Sequence, residues 1–307
     1  MTQSVISNPT GTRPSRFLDL HALQAVARMR FVTRQQIEGT YTGRHRSSQQ
    51  GGSTEFVDYR EYSPGEDLRR LDWKVLGRTD RQVVRLYQDE MNLVCTLAID
   101  ASNSMRFGAH TGQTKLEYAQ YLATGMSHVI GRQQDQVGLA VLAGGLRDVL
   151  APGGTLGHVF RVQQAVENLK TEPITDLAGG LRELFARLPR RGVLALFSDF
   201  LVDDLEKTFA SIRLFRHRRW EVIPLHLVHP DEERLPDGVA YRFEGMENEG
   251  TVPCSPREIR QEYEKRFEQH AAAVRGLALA AGCDYRRVST AVPYMQTLGS
   301  FLVERKG

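Results

Sequence analysis

The strongest pattern in the chain is an apolar run at residues 93–99 that ends at Asp100. Runs of this kind, rich in Val, Ile and Leu, are typical of a strand that is buried on both faces of a parallel sheet. A second run, at residues 192–197, ends at Ser198 and Asp199. Because open α/β sheets bind their ligands at the carboxyl ends of the strands, we expect both aspartates at that edge.

Helical and strand-like periods alternate through the rest of the chain. Apolar residues at helical spacing predict helices at residues 17–29, 116–130, 156–169, 176–188, 205–215, 256–281 and 292–303. Strand patterns occur at residues 84–86, 137–141, 146–150, 222–227, 241–243 and 283–288. The strand at 84–86 is expected to lie antiparallel beside the strand at 93–99. The alternation predicts an α/β fold with a doubly wound, mostly parallel sheet.

The loop after the first buried run carries the candidate chemistry. Asp100, Ser102 and Ser104 form a D-x-S-x-S pattern, and Thr175 precedes a predicted helix. Together with Asp199 they offer two carboxylates and three hydroxyls, the hard oxygen donors that Mg²⁺ prefers. A divalent cation facing two carboxylates is roughly neutralised, and its remaining positions can take water or a partner's carboxylate. Hydroxyls at such positions also commonly cap helices, so the spacing alone leaves both interpretations open.

Composition narrows the class of protein. A net charge of +3 over 307 residues is far from the basic stripe of a nucleic-acid binder, so a nucleic-acid partner is not expected. The three cysteines form no CxxC pair, which indicates a reducing compartment. Neither a signal peptide nor an apolar run of membrane-spanning length is visible, so we expect a cytoplasmic protein without a membrane partner.

Two motifs resemble known families. The segments DASNSM and FSDF, with Thr175, are similar to the metal-ion-dependent adhesion site (MIDAS) of von Willebrand factor type A domains. The stretch at residues 43–90 resembles the signature of the family called domain of unknown function 58. The residues that carry this second resemblance are Gly43, Ser47, Gly51, Glu55, Phe56, Arg60, Tyr62, Gly65, Asp67, Arg70, Asp72, Trp73, Arg78 and Glu90.

The resemblance implies a fold, a cofactor and a partner. It implies a von Willebrand factor A-like domain at residues 81–307, preceded at residues 1–80 by an N-terminal helix and the signature extension packed on the sheet. The metal ligands would be Asp100, Ser102, Ser104, Thr175 and Asp199, the last often acting through water, and the ion Mg²⁺, Mn²⁺ or Ca²⁺. No catalytic activity is implied. Many members are encoded beside MoxR-type AAA+ ATPases, so we expect a metal-dependent, protein-binding chaperone adaptor.

The signature residues allow two interpretations. Arg60, Asp67, Arg70, Asp72 and Trp73 could join the extension to the sheet edge through ion pairs and a buried indole. Alternatively, they could dock a partner protein.

Two other functions compete with the adaptor. A Mg²⁺-dependent phosphohydrolase would use Asp100 as its nucleophile. Such enzymes usually carry an acid/base aspartate two residues later, where this chain has Ser102, which cannot do that work at neutral pH. An RNA-binding scaffold rests only on the mild basicity of the extension.

Overall fold

The structure is a computed structural model that describes residues 15–19, 23–26, 28–33, 54–63, 71–89, 93–173, 175–189, 191–235, 241–245 and 250–305. The chain divides into two compact units: residues 33–92, and residues 1–32 together with 93–307. The sequence places a boundary at residue 80 instead. The two divisions differ because residues 83–89 pair with residues 54–61 inside the smaller unit.

The smaller unit contains strand β1 (Thr54–Glu61), helix α1 (Trp73–Thr79) and strand β2 (Val83–Asp89). The two strands are antiparallel, with an irregularity between Phe56 and Asp58. The strand predicted at residues 84–86 is therefore confirmed, but its predicted neighbour is wrong. Its partner is β1 rather than the strand at 93–99, because the alternating pattern specifies a half-buried strand without specifying what it pairs with.

The larger unit contains a six-stranded sheet covered by helices. Its elements are β3 (Val94–Asp100), α2 (Lys115–Arg132), β4 (Gln136–Ala143), β5 (Gly145–Gly153), α3 (Leu156–Glu167), α4 (Leu177–Arg187), β6 (Val193–Ser198), α5 (Leu205–His217), β7 (Glu221–Val228), α6 (Pro230–Glu233), β8 (Tyr241–Glu244), β9 (Thr251–Cys254), α7 (Pro256–Ala280), β10 (Arg286–Ser289) and α8 (Tyr294–Glu304). The sheet order is β10-β7-β6-β3-β4-β5, and β8 pairs with β9 separately.

All neighbours in the six-stranded sheet are parallel except β5, which is antiparallel to β4. Successive residues of a strand point to opposite faces, so Ile99 packs into one apolar layer and Ala98 into the other. Helices α2, α3 and α8 contribute to the first layer, and α4, α5 and α7 to the second. This arrangement confirms the predicted doubly wound, mostly parallel α/β fold.

The helix predicted at residues 17–29 is confirmed only in part where the structure describes it: Leu23 is α-helical, and its amide donates to the Asp19 carbonyl at 2.9 Å. Residues 16 and 17 form a turn and Gln24–Val26 form a single turn of 3-10 helix, while residues 20–22 and 27 lie outside the described residues. The apolar side chains pack on other helices instead. Phe17 meets Tyr121 of α2 edge to face, and Leu23 is buried in the layer that α2 and α8 share. None of the helices in the described ranges has both the length and the apolar character needed to cross a bilayer.

Candidate metal centre at the carboxyl edge of the sheet

Asp100 ends the central strand β3, and its side chain is only 1% exposed. Ile99 pairs with Phe197 of β6, so the next residues of the two strands, Asp100 and Ser198, come together. Asp100 Oδ2 accepts a hydrogen bond of 2.6 Å from the Ser198 hydroxyl, and Oδ1 accepts one of 3.0 Å from the Ser102 amide. Burial and the neighbouring charge of Asp199 raise the pKa of Asp100 to about 6.

Two serine hydroxyls lie close to the two aspartates. The hydroxyl oxygens of Ser102 and Ser104 lie 2.9 Å apart and share a hydrogen bond. The Ser102 hydroxyl lowers the pKa of Asp100, and the Ser104 hydroxyl lowers the pKa of Asp199, so each hydroxyl lies close to one of the two carboxylates. The structure therefore brings four of the five predicted ligands into one buried group at the predicted edge of the sheet.

Thr175, the fifth predicted ligand, lies in the segment that leads into α4. The Glu172 amide donates to the Ala101 carbonyl at 2.8 Å, and the Asp176 amide donates to the Ala143 carbonyl at 2.7 Å. These bonds hold the segment across the ends of β3 and β4, so the backbone of Thr175 passes the same edge. Its neighbour Ile174 lies outside the described residues.

Helix capping does not account for these hydroxyls. Ser102 precedes the 3-10 helix Asn103–Arg106, but its side chain makes no capping hydrogen bond there. Helix α4 is capped by Asp176, which accepts a bond of 2.8 Å from the Gly179 amide, and not by Thr175. The capping interpretation is therefore wrong for both residues.

Sequence reasoning missed a buried ion-pair group beside Asp199. The Lys115 side chain is completely buried, and its Nζ lies 2.7 Å from Asp199 Oδ2 and 2.5 Å from Glu232 Oε1. Asp199 Oδ1 accepts a bond of 3.1 Å from the Leu201 amide. Both oxygens of Asp199 are thus bonded to the protein, and the three residues join α2, the loop after β6 and α6.

Burial and the ion pairs shift the pKa values of Asp199, Glu232 and Lys115 in different ways. Burial favours the neutral form of Asp199, but the Lys115 ammonium outweighs this and the pKa of the carboxyl lies below its usual value. Burial raises the pKa of Glu232, and Lys115 offsets this only in part. Burial alone would lower the pKa of Lys115, yet the two carboxylates leave it raised. The ammonium is therefore held in its charged form.

One of the missed residues had a signal in the sequence. Thr114 and Glu117 form the predicted capping box, which makes Lys115 the first residue of α2. A cation at that position opposes the helix dipole, so its presence indicates a nearby carboxylate. Glu232 offered no comparable signal, because its capping partner is His229, which is not a usual cap residue.

The donor set fits a hard divalent cation. Asp199 and Glu232 share the Lys115 ammonium, and Asp100 is a third buried carboxylate, bonded to the Ser102 amide. Within the described ranges there is no group of three His, Cys, Asp or Glu side chains suited to a metal. The candidate centre is of a different type, with carboxylate and hydroxyl oxygens, as Mg²⁺ favours.

The signature residues of the smaller unit are placed only in part. Arg60 is exposed on β1, and Asp72 caps α1 while accepting a bond of 3.4 Å from the Tyr59 hydroxyl. Trp73 is 61% exposed, so the buried-indole interpretation is wrong. Asp67 and Arg70 lie outside the described residues.

The fold and the edge site define an α/β protein with a buried carboxylate and hydroxyl centre. Residues 58–273 match the family described as "Protein of unknown function DUF58", and the chain belongs to that family. A relative, the "Uncharacterized protein Rv1480" of Mycobacterium tuberculosis, is 27% identical over 217 residues, which are 69% of this chain and 67% of the relative.

Two solved structures are similar in outline. An aerotolerance-related membrane protein from Bacteroides fragilis matches 69% of this chain and 100% of its own, with 16% identity and a TM-score of 0.46. A von Willebrand factor type A protein from Catenulispora acidiphila matches 72% of this chain and 43% of its own, with 14% identity and a TM-score of 0.39.

Proposed function

We propose that the chain is a non-catalytic protein-binding module that holds a divalent cation at its docking face. Asp100, Ser102, Ser104 and Thr175 would hold the ion, and Asp199 would support it through water. The bound ion would supply a Lewis-acidic position for an acidic side chain of the partner. The partner we propose is a MoxR-type AAA+ ATPase, which the chain would assist as an adaptor in assembling or activating other proteins.

One observation carries the proposal: the hydroxyls of Ser102 and Ser104 lie 2.9 Å apart, and the buried carboxylates of Asp100 and Asp199 are close enough to interact electrostatically. The ionised form of Asp100 is disfavoured first by burial and then by the neighbouring charge of Asp199, and its pKa of about 6 reflects that cost. A divalent cation beside the two serines would relieve it. The Ser102 side chain makes no capping hydrogen bond to the 3-10 helix that follows it, and α4 is capped by Asp176.

The same site supports binding better than hydrolysis. Two residues after Asp100 stands Ser102, whose hydroxyl cannot act as an acid or base at neutral pH. Both oxygens of Asp199 are bonded to the protein, which leaves this carboxylate poorly placed to accept a substrate proton. We therefore propose no catalytic role for either residue.

Two measurements test the proposal. Titration calorimetry of the full chain with Mg²⁺ should show one site per chain, and Asp100→Asn should abolish it. A pull-down of a purified MoxR-type ATPase from the same organism should succeed with Mg²⁺ and fail with EDTA. Asp203→Asn, at an exposed aspartate of the loop after β6, is the matched control and should bind like the wild type.

Binding of the ATPase that Asp100→Asn and EDTA both leave unchanged would contradict the proposal. Turnover of a generic phosphoester that disappears in Asp100→Asn would instead favour the phosphohydrolase.

A further inference from the structure

The buried Lys115 side chain lies beside the proposed ion site, in contact with Asp199. Lysine is almost never fully buried unless it is paired, and here one ammonium contacts two carboxylates on two different elements. Each buried charge costs free energy unless another charge or a hydrogen bond compensates it.

Lys115 determines the orientation of Asp199. Its ammonium binds Oδ2, and the Leu201 amide binds Oδ1, so neither oxygen is able to rotate away. Glu232 in turn holds Lys115 from the opposite element, because its second oxygen is fastened by the His229 amide at 3.0 Å.

Lys115 also determines the charge of the centre. Asp100, Asp199 and Glu232 each carry one negative charge when ionised, and Lys115 carries one positive charge, which leaves a net charge of −2. One divalent cation neutralises this sum. In a buried region, a centre whose charges do not balance is strongly disfavoured, so the sum selects the valence of the ion.

We propose that Lys115 is a positioning residue that orients Asp199 and, with Glu232, matches the centre to a divalent rather than a trivalent cation. The inference rests on the proposed function, since it concerns the same ion site. Removing the ammonium makes the centre more negative and favours a trivalent ion. Removing the Glu232 carboxylate makes it less negative and weakens divalent binding. Removing both restores the net charge of −2.

The test measures Mn²⁺ binding to the full chain by electron paramagnetic resonance, with Tb³⁺ as the competing trivalent ion. Lys115→Met should raise the affinity ratio of Tb³⁺ to Mn²⁺ by about tenfold or more, since one unit charge changes within a few ångströms of the ion. Glu232→Gln should lower Mn²⁺ affinity by about tenfold for the same reason. The double variant should return the ratio to about that of the wild type.

Exposed neighbours provide matched controls. Lys207→Met and Glu206→Gln change the same charges on exposed residues of α5 and should leave both ions' affinities unchanged. Thermal unfolding by circular dichroism establishes which variants fold. If Lys115→Met does not fold, Glu232→Gln decides the test, because it keeps the bond between Lys115 and Asp199.

Three results would overturn the inference. The ratio could be unchanged in a folded Lys115→Met variant, or the double variant could fail to restore a changed ratio. Unchanged Mn²⁺ affinity in Glu232→Gln would also refute it. These results leave the proposed function intact, whereas a wild-type chain that binds no Mn²⁺ overturns both.

Discussion

The hydroxyl of Ser198 at the end of β6 donates a hydrogen bond of 2.6 Å to Asp100 Oδ2 at the end of β3. The Ser198 hydroxyl oxygen also accepts a hydrogen bond of 2.9 Å from the amide of Phe200, a residue with a left-handed backbone at φ 54°. Ser198 therefore stabilises both the first aspartate of the candidate site and the turn that carries the second.

Ser198→Ala should destabilise the fold measurably. The substitution removes one buried bond to Asp100 and leaves the buried Phe200 amide without this acceptor, which should lower the free energy of unfolding by about 1–3 kcal/mol. Urea denaturation measures the change. Ser300→Ala is the control, since the Ser300 hydroxyl bonds a backbone carbonyl on an exposed face of α8. Equal effects of the two substitutions would contradict the prediction.

Arg305 should be one of the most sensitive positions outside the site. Its guanidinium is buried and bonds Glu221 at 2.5 Å, Asp284 at 2.9 Å and the Val32 carbonyl at 2.7 Å. Arg305→Ala leaves a buried carboxylate without its counter-charge, which should lower the free energy of unfolding by about 3–5 kcal/mol.

Arg305→Lys should restore little of this loss, because a single ammonium cannot reproduce the three directed bonds of the guanidinium. Chemical denaturation of both variants measures the difference. Arg213→Ala, at an exposed position of α5, should change stability by less than about 0.5 kcal/mol. Full rescue by lysine would show that charge alone matters at this position.

Stability should fall in mild acid because of His226. This side chain is buried on β7 with its Nδ1 2.8 Å from the Tyr285 hydroxyl, and burial lowers the pKa of His226 from 6.5 to about 3. Between those values the unfolded chain binds a proton that the folded chain does not. The contribution of neutral His226 to the free energy of unfolding is therefore fully present above pH 6.5 and is lost as the pH falls toward 3.

The expected contribution is at most about 1.4 kcal/mol per pH unit. Urea denaturation at several pH values should give a shallower slope for His226→Asn than for the wild type. His217→Asn, at an exposed position near the end of α5, should keep the wild-type slope. Identical slopes for all three proteins would refute the assignment.

Two helical glycines should respond to alanine in opposite directions. A Cβ on Gly180 of α4 would lie 2.9 Å from the backbone of Gly145, whereas one on Gly276 of α7 would have nothing within 4 Å. Gly276→Ala should stabilise the protein by about 0.5–1 kcal/mol through helix propensity, and Gly180→Ala should destabilise it despite the same gain. Thermal unfolding checks both signs, and stabilisation by both substitutions would refute the close approach.

The sequence by itself determined the sheet and the place of the two aspartates. The apolar runs that end at Asp100 and at Ser198 are long and flanked by polar residues, so they indicate buried strands without further information. Parallel strands in an open sheet end at the same edge, and that rule alone predicts where the candidate ligands gather.

Local sequence patterns were less informative in segments whose structure depends on tertiary packing. The apolar spacing at residues 17–29 predicts one continuous helix, but among the described residues of this range only 23–26 are helical, while Phe17 and Leu23 are buried against other helices. In the same way, the pattern of β2 indicated a strand and left its partner open. Periodicity reports which side chains are buried and does not name the surface that buries them.

Only the tertiary structure decided the charge of the candidate site. Lys115 and Glu232 lie 117 positions apart in the chain, yet their side chains are 2.5 Å apart. A lysine at the start of a helix and a glutamate after a strand each have ordinary explanations when they are read alone. Their pairing around Asp199 exists only because the sheet brings the ends of β6 and β7 to the start of α2, which no local pattern encodes.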